Sequence, residues 1–192
     1  MAESPERTGG HEETARPRRI VVLGTSGSGK STLATRLARE LGIDHVELDA
    51  LHHGPHWTPR PTEEFAADIA ELRDRPAWVV DGNYIDRVAD TLWPRADLVV
   101  WLDLPLAVIL PRILRRTVRR IRHRTELWAG NREDWSALFG RHSLLVWAVR
   151  SQRAHQAELP GRLAALRRSG VRVVRLTSGR AADRWLVEEA NG

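Results

Sequence analysis

The sequence predicts an α/β fold, a parallel sheet covered by helices on both faces, and three observations carry that prediction. Short aliphatic runs alternate with amphipathic helical stretches along the chain, as strand–helix crossovers require. The first run, Ile20-Val21-Val22-Leu23, opens onto Gly24-Thr25-Ser26-Gly27-Ser28-Gly29-Lys30-Ser31-Thr32, where helix formers begin. Asp49, Asp81 and Thr177–Ser178 all fall at expected strand ends, the edge where open parallel sheets gather ligands.

In order, residues 1–17 lack periodicity and read as a disordered tail, leaving 18–192 as one domain. Arg18 to Leu23 is the first strand. Lys30 to Leu41 is a helix with Leu33, Leu37 and Leu41 on one face and Gly42 as its stop. His45 to Leu48 is a short second strand. The stretch from Asp49 to Pro59 reads as a turn-rich loop carrying His52, His53, His56 and Trp57. Thr62, as N-cap, opens a helix to Arg73 with Phe65, Ile69 and Leu72 inward. Ala77 to Val80 and Asp97 to Leu102 are buried strands, each closed by an aspartate. Asp103 is expected to cap the next helix.

That helix carries seven arginines between Arg112 and Arg124, with Ile113, Leu114, Val118 and Ile121 on one face. Pro111 predicts a kink or a fresh start. Asp134 to about Gln156 reads as a helix with Trp135, Leu138, Leu145, Val146 and Val149 inward. Pro160 to Arg168 is a short helix stopped by Gly170, Val171 to Leu176 the fifth strand, and Arg180 to Glu189 the closing helix. There is no internal repeat.

The spacing G-x-x-x-x-G-K-S between a strand and a helix is a phosphate-binding P-loop. Backbone N–H groups converge on a phosphate, and the following helix points its positive end at it. Gly24 through Thr32 would cradle a nucleoside triphosphate, Lys30 would reach the outer phosphates, and Ser31 would hold Mg²⁺. Lys30 is the only lysine in a chain that otherwise uses arginine, a point charge on a flexible stem kept where one is needed. Asp81, closing a hydrophobic strand, suits the metal through water. Asp49, beside the loop, suits a substrate hydroxyl, or else a turn or helix cap. His52 and His56 stand at a zinc-like spacing, but Gly54 and Pro55 disfavour a helix and no third ligand is evident, so a pocket wall is preferred.

Composition bounds the rest. Hydrophobic content of 42% and charged content of 29% are globular values, and with no cysteine there are neither disulfides nor thiolate metal sites. The N-terminal residues do not resemble a secretory signal, and the apolar run Leu98–Leu110 is too short to span a bilayer. No membrane association and a cytoplasmic location are expected, as monomer or homodimer. A net charge of +5 invites a nucleic-acid reading. The arginine segment admits three roles: a solvated face, a nucleic-acid patch, or a lid over triphosphate. Asn131-Arg132-Glu133-Asp134 imitates a guanine-reading motif but does not follow a strand, which disfavours a GTPase.

The P-loop near the N-terminus, Asp81-Gly82 closing the third strand, and Leu102-Asp103-Leu104-Pro105 followed by Arg112 and Arg116 resemble the adenylate-kinase-like nucleoside and nucleotide kinases. More specifically, Leu48-Asp49-Ala50-Leu51, Pro55-His56-Trp57 and Val80-Asp81-Gly82-Asn83-Tyr84 resemble the group labelled topology modulation protein. The resemblance implies the three-layer P-loop fold with strand order 2-3-1-4-5, ATP·Mg²⁺ as phosphoryl donor, and an arginine-rich helical lid over about 112–140. It assigns Arg112 and Arg116 to the transferring phosphoryl group. Arg132 would act from the lid's far end. Asn83-Tyr84 replace the proline-arginine pair of adenylate kinase proper, so the acceptor pocket is drawn from Asp49, His52, His53, Trp57 and Tyr84. That pocket suits a nucleotide, a nucleoside or another small hydroxylated molecule. The alternative is a nucleic-acid-associated ATP-binding regulator using Arg112–Arg124.

Overall fold

The computed structural model describes residues 16–140 and 143–191, so of the tail expected over residues 1–17 all but the last two residues lie outside the described residues. Five strands, β1 (Arg19–Gly24), β2 (His45–Glu47), β3 (Trp78–Asp81), β4 (Leu98–Leu102) and β5 (Arg172–Leu176), form one parallel sheet in the order β2-β3-β1-β4-β5. The register aligns Glu47 with Asp81, Gly24 with Leu102, and Leu102 with Leu176, so the strands' carboxyl ends form one edge.

β1, β3 and β4 are buried on both faces, which is why they read as continuous apolar runs rather than alternating ones. Their side chains still divide by the two-residue period of a strand. Val21, Leu23, Trp78, Val80, Val99 and Trp101 face one core, and Ile20, Val22, Val79, Leu98, Val100 and Leu102 face the other. The first core is closed by α3 (Thr62–Asp74), α4 (Ile85–Leu92) and the later turns of α6 (Leu144–Arg168). The second is closed by α1 (Lys30–Leu41), α5 (Leu106–Arg122) and α7 (Gly179–Asn191). α1 ends at Gly42, which takes the left-handed conformation at φ 63° and donates to Ala38 O.

Several local expectations are corrected. Leu48 does not extend β2; it opens the short helix α2 (Leu48–His52), which carries Asp49. Thr62 is the first helical residue of α3 rather than its cap, with Pro61 preceding it and no side-chain cap bond. Pro111 neither ends nor restarts α5, and Pro160 does not divide α6. Proline frees the carbonyl four residues earlier. Here those belong to Ala107 and Gln156, both on exposed positions where water can satisfy them. The helix expected from Asp134 is only a 3-10 turn, Trp135–Leu138, capped by the Asp134 side chain accepting from Ser136 N at 2.7 Å; Trp135 points outward. α6 starts at Leu144 behind its cap Ser143, and its inner face is Ala148, Gln152, His155, Leu159 and Leu163. On α5, Leu114 is exposed and the buried face is Ile109, Ile113 and Thr117. α4 was not anticipated from the sequence.

Candidate active site

The loop Gly24–Lys30 leaves β1 at the carboxyl edge and enters α1. Its close packing against α5 demands glycine at position 27: φ is 81°, and a Cβ would lie 2.7 Å from Ile113 Cγ1 and 3.1 Å from Ile109 O. Two neighbours hold the loop's entry. Asn83 accepts from Gly24 N at 3.2 Å and donates to Gly24 O at 2.7 Å, clasping that backbone from the end of β3. From the opposite side, the fully buried Thr25 hydroxyl donates to Gln152 Oε1 at 2.6 Å. Since that hydroxyl has one proton, His155 Nδ1, 3.3 Å away, must be the donor to Thr25 Oγ1. Gln152 Nε2 then donates to Asp103 Oδ1 at 2.9 Å and Leu104 O at 3.1 Å.

Asp103 is therefore not a helix cap. Its other oxygen pairs with Arg175, whose Nε lies at 3.0 Å, and Pro105 occupies the cap position of α5. The position of this buried carboxylate is explained by the need of a burying charge for partners. None of Gln152, His155 or Arg175 was singled out in the sequence. The available signal was two polar residues, three apart, on the otherwise apolar inner face of α6. Burial, with Lys30 adding repulsion, holds the His155 imidazole below its usual range.

At the loop's far end Lys30 Nζ lies 3.8 Å from Asp81, and the Ser31 hydroxyl donates to the same carboxylate. His45 Nε2 is 3.3 Å from the other Asp81 oxygen. Asp81 is 2% exposed, so a hydroxyl, a buried carboxylate and a nearby ammonium meet in one small volume. Oxygen donors of this kind suit a hard divalent cation such as Mg²⁺, with Ser31 and Asp81 as the residues to hold it.

The arginines at 112, 116 and 120 follow one side of α5. Arg112 Nη1 donates to Ser28 O at 3.2 Å, Arg116 Nη2 to Ser26 Oγ at 3.0 Å, and Arg120 pairs with Glu133 at 2.8 Å. Burial, then repulsion from Arg120, lowers the Arg116 pKa. Two buried groups here lack partners, Arg116 Nε and Ser28 Oγ. Buried donors are ordinarily satisfied; an anion seated on the loop would supply an acceptor for Arg116, which lines the cavity there. The residues present fit a phosphate group.

The loop's outer side opens into a cavity of about 740 Å³. Ser26, Lys30, Ser31, Arg116 and Arg120 line one part of it, and Glu47, Asp49, His52, His53, Trp57 and Tyr84 another. The structure thus brings together the sequence-selected Asp49, His52, Trp57, Tyr84 and Arg132 with the P-loop. Tyr84 donates to Asp49 Oδ1 at 2.8 Å; burial and the Asp49 charge push the phenol's pKa up, so it stays a donor. Burial, with His53 adding repulsion, lowers that of His52.

Two segments meet over this cavity. Asn131, 5% exposed, accepts from Trp57 N at 2.9 Å and donates to Gly54 O and Trp128 O, each at 2.8 Å. Trp128 Nε1 reaches Glu47 at 3.2 Å and its ring stacks with His53. His56, Trp57 and Ala129 adopt left-handed backbone at φ 54–59°, a conformation that costs about 1–3 kcal/mol each and concentrates at ligand clamps. The guanine-motif likeness of 131–134 is explained differently: Asn131 is a buried strut between the two loops.

Comparison with known proteins agrees with this architecture. A shikimate kinase structure from Acinetobacter baumannii, in complex with shikimate, superposes with a TM-score of 0.55 at 18% identity, covering 89% of each chain. An adenylate kinase 2 from Nostoc sp. is 30% identical over 128 residues, 52% of this chain and 70% of that protein. A gluconokinase from Gluconobacter oxydans is 57% identical over 64 residues, spanning only 33% of this chain and 34% of that protein. A family model described as AAA domain (AAA_33) matches residues 20–149, from β1 through the start of α6. The match takes in the P-loop, β1 to β4 and the cavity at the sheet's carboxyl edge, leaving only β5 and α7 beyond it, and the chain belongs to this family of P-loop proteins.

Proposed function

We propose that this chain transfers the γ-phosphoryl group of Mg·ATP to a small hydroxylated acceptor, a nucleotide, a nucleoside or another hydroxyl-bearing metabolite. One observation carries the reading: a single cavity joins the P-loop, with Lys30, Ser31 and Arg116, to a second set of polar and aromatic groups around Asp49. An NTP-hydrolysing switch needs only the first part, whereas a transferase needs a place for the acceptor beside it. The relatives named as kinases, of adenylate and gluconate, support the same class.

The roles follow from position. Loop N–H groups and Lys30 bind the phosphates, and Arg112 and Arg116 reach the loop from α5 to stabilise charge spreading over the moving group. Mg²⁺ held by Ser31 and Asp81 would neutralise phosphate charge. Tyr84 bonds one oxygen of Asp49, fixing the carboxylate so that the other can orient an acceptor hydroxyl. Trp57, His52 and His53 wall the acceptor side, and Arg132 stands at its margin. Of the lid expected over about 112–140, residues 112–122 belong to α5, whose Ile113 and Thr117 are buried. The lid that excludes water would be the remainder, 123–140, strutted by Asn131. Within the family, the motifs around Asp49, Pro55-His56-Trp57 and Asn83-Tyr84 favour the topology-modulation group.

Incubation with Mg·ATP and pooled nucleosides, nucleotides and polyols, followed by mass spectrometry, tests this. The expected result is ADP plus one acceptor heavier by a phosphoryl group, lost in a folded Lys30→Met variant. ATP binding without transfer to any pool member, or turnover retained by K30M, refutes the proposal.

A further inference from the structure

α5 divides its arginines by helical spacing. Arg112, Arg116 and Arg120 face the P-loop and cavity, whereas Arg115, Arg119 and Arg122 lie on exposed positions, with Arg124 just beyond the helix. Among the described residues, these four outward arginines make no ion pair, and Arg115 bonds only Pro111 O within its own helix. Other arginines on the surface do find acids: Arg36 pairs with Asp183, Arg60 with Glu64 and Asp68, and Arg75 with Glu71.

The absence of acids here is not local to one turn. Residues 104–125 contain no aspartate or glutamate, and neither do residues 143–157. The two stretches form α5 and the first half of α6, which pack together and against the turn Trp135–Leu138. α6 adds exposed Arg150 and Arg153. Glu126, Glu133 and Asp134 bound this region at one end and Glu158 at the other. The adjoining turn and the residue after it carry exposed rings, Trp135 at 53% and Phe139 at 69% exposed, whereas Trp147 lines the cavity.

Like charges four apart on a helix repel, so an acid-free arginine stripe destabilises the isolated chain. A polyanion reverses that term. Single strands are bound by the combination present here, arginines that follow a backbone and aromatic faces on which bases stack without regard to sequence. We propose that the outer face of α5, with the adjoining turn and first half of α6, binds single-stranded nucleic acid. A membrane would need a contiguous apolar face, whereas the exposed positions of this α5 face are dominated by guanidinium groups. The proposal rests on arginines other than those at the P-loop and stands independently of phosphoryl transfer.

The test is fluorescence anisotropy of labelled oligo(dT) and oligo(U) of about 20 nucleotides with the full chain, from about 50 to 200 mM salt. ATP in excess keeps the P-loop filled. Log affinity should fall linearly with log salt, by about 0.7 per phosphate contact. The variant R115Q/R119Q/R122Q should lower that slope by about 2 and the affinity by tenfold or more, and R119Q alone should lower the slope by about 0.7. W135A/F139A should weaken binding about fivefold or more with an unchanged slope. No binding at the lowest salt, or binding indifferent to both arginine variants, overturns the proposal. So does binding to phosphatidylglycerol vesicles without binding to either oligonucleotide.

Discussion

Gln152→Leu tests the polar support beneath the P-loop. The side chain is 2% exposed and makes three hydrogen bonds, to Thr25 Oγ1, Asp103 Oδ1 and Leu104 O. Leucine approximates its volume, so the cavity term is small and the change reports polarity. Two neutral bonds contribute about 1 kcal/mol each and the bond to charged Asp103 about 1.5–3 kcal/mol, partly offset by the added apolar burial. The net loss should be about 2–4 kcal/mol, which for a chain of this length lowers Tm by about 10 °C. Urea unfolding measures it directly, and the cycle with Thr25→Val isolates the shared bond. The double variant should fall short of additivity by about 1 kcal/mol, because each single change already removes that contact. A loss in Q152L below about 1 kcal/mol, or strict additivity with T25V, refutes the claim that this network supports the loop.

Two further outcomes follow from the same coordinates. The native site holds His155 below its unfolded-state pKa, so the unfolded chain takes up a proton that the native one refuses. Its stability contribution is present above the unfolded value near 6.5 and is lost as pH falls through the lowered native value; H155Q should flatten that decline in unfolding titrations between about pH 7 and 5. Asn131→Ala removes the strut between residues 54–57 and 128–131; it should raise KM for the acceptor more than for ATP and speed proteolysis within 123–140.

The fold was legible because its signals are local. A parallel sheet buried on both faces leaves uninterrupted aliphatic runs, and β1, β3 and β4 each announced themselves that way within a residue or two. Errors gathered where a tertiary context overrides a local rule. Pro111 and Pro160 read as breaks, yet both helices run through them because the freed carbonyls lie on exposed sides. The helix expected over Asp134 to about Gln156 forms only from Leu144, and the residues just before its expected start are pinned to the 53–59 loop through Asn131, Trp128 and Trp57.

The candidate site divides in the same way. Lys30, Ser31 and the glycines of the P-loop were readable from the sequence alone, since a phosphate cradle is built from consecutive backbone N–H groups and one adjacent side chain. Asp49 and Asp81 were readable because strand ends converge on one edge. The roles of Asn83, Gln152 and His155 were not, because each depends on which residue 50 or more positions away lies opposite. Periodicity specifies which side of a helix faces inward; only the packed sheet decides whether that side meets a leucine, a carboxylate or the backbone of a phosphate loop.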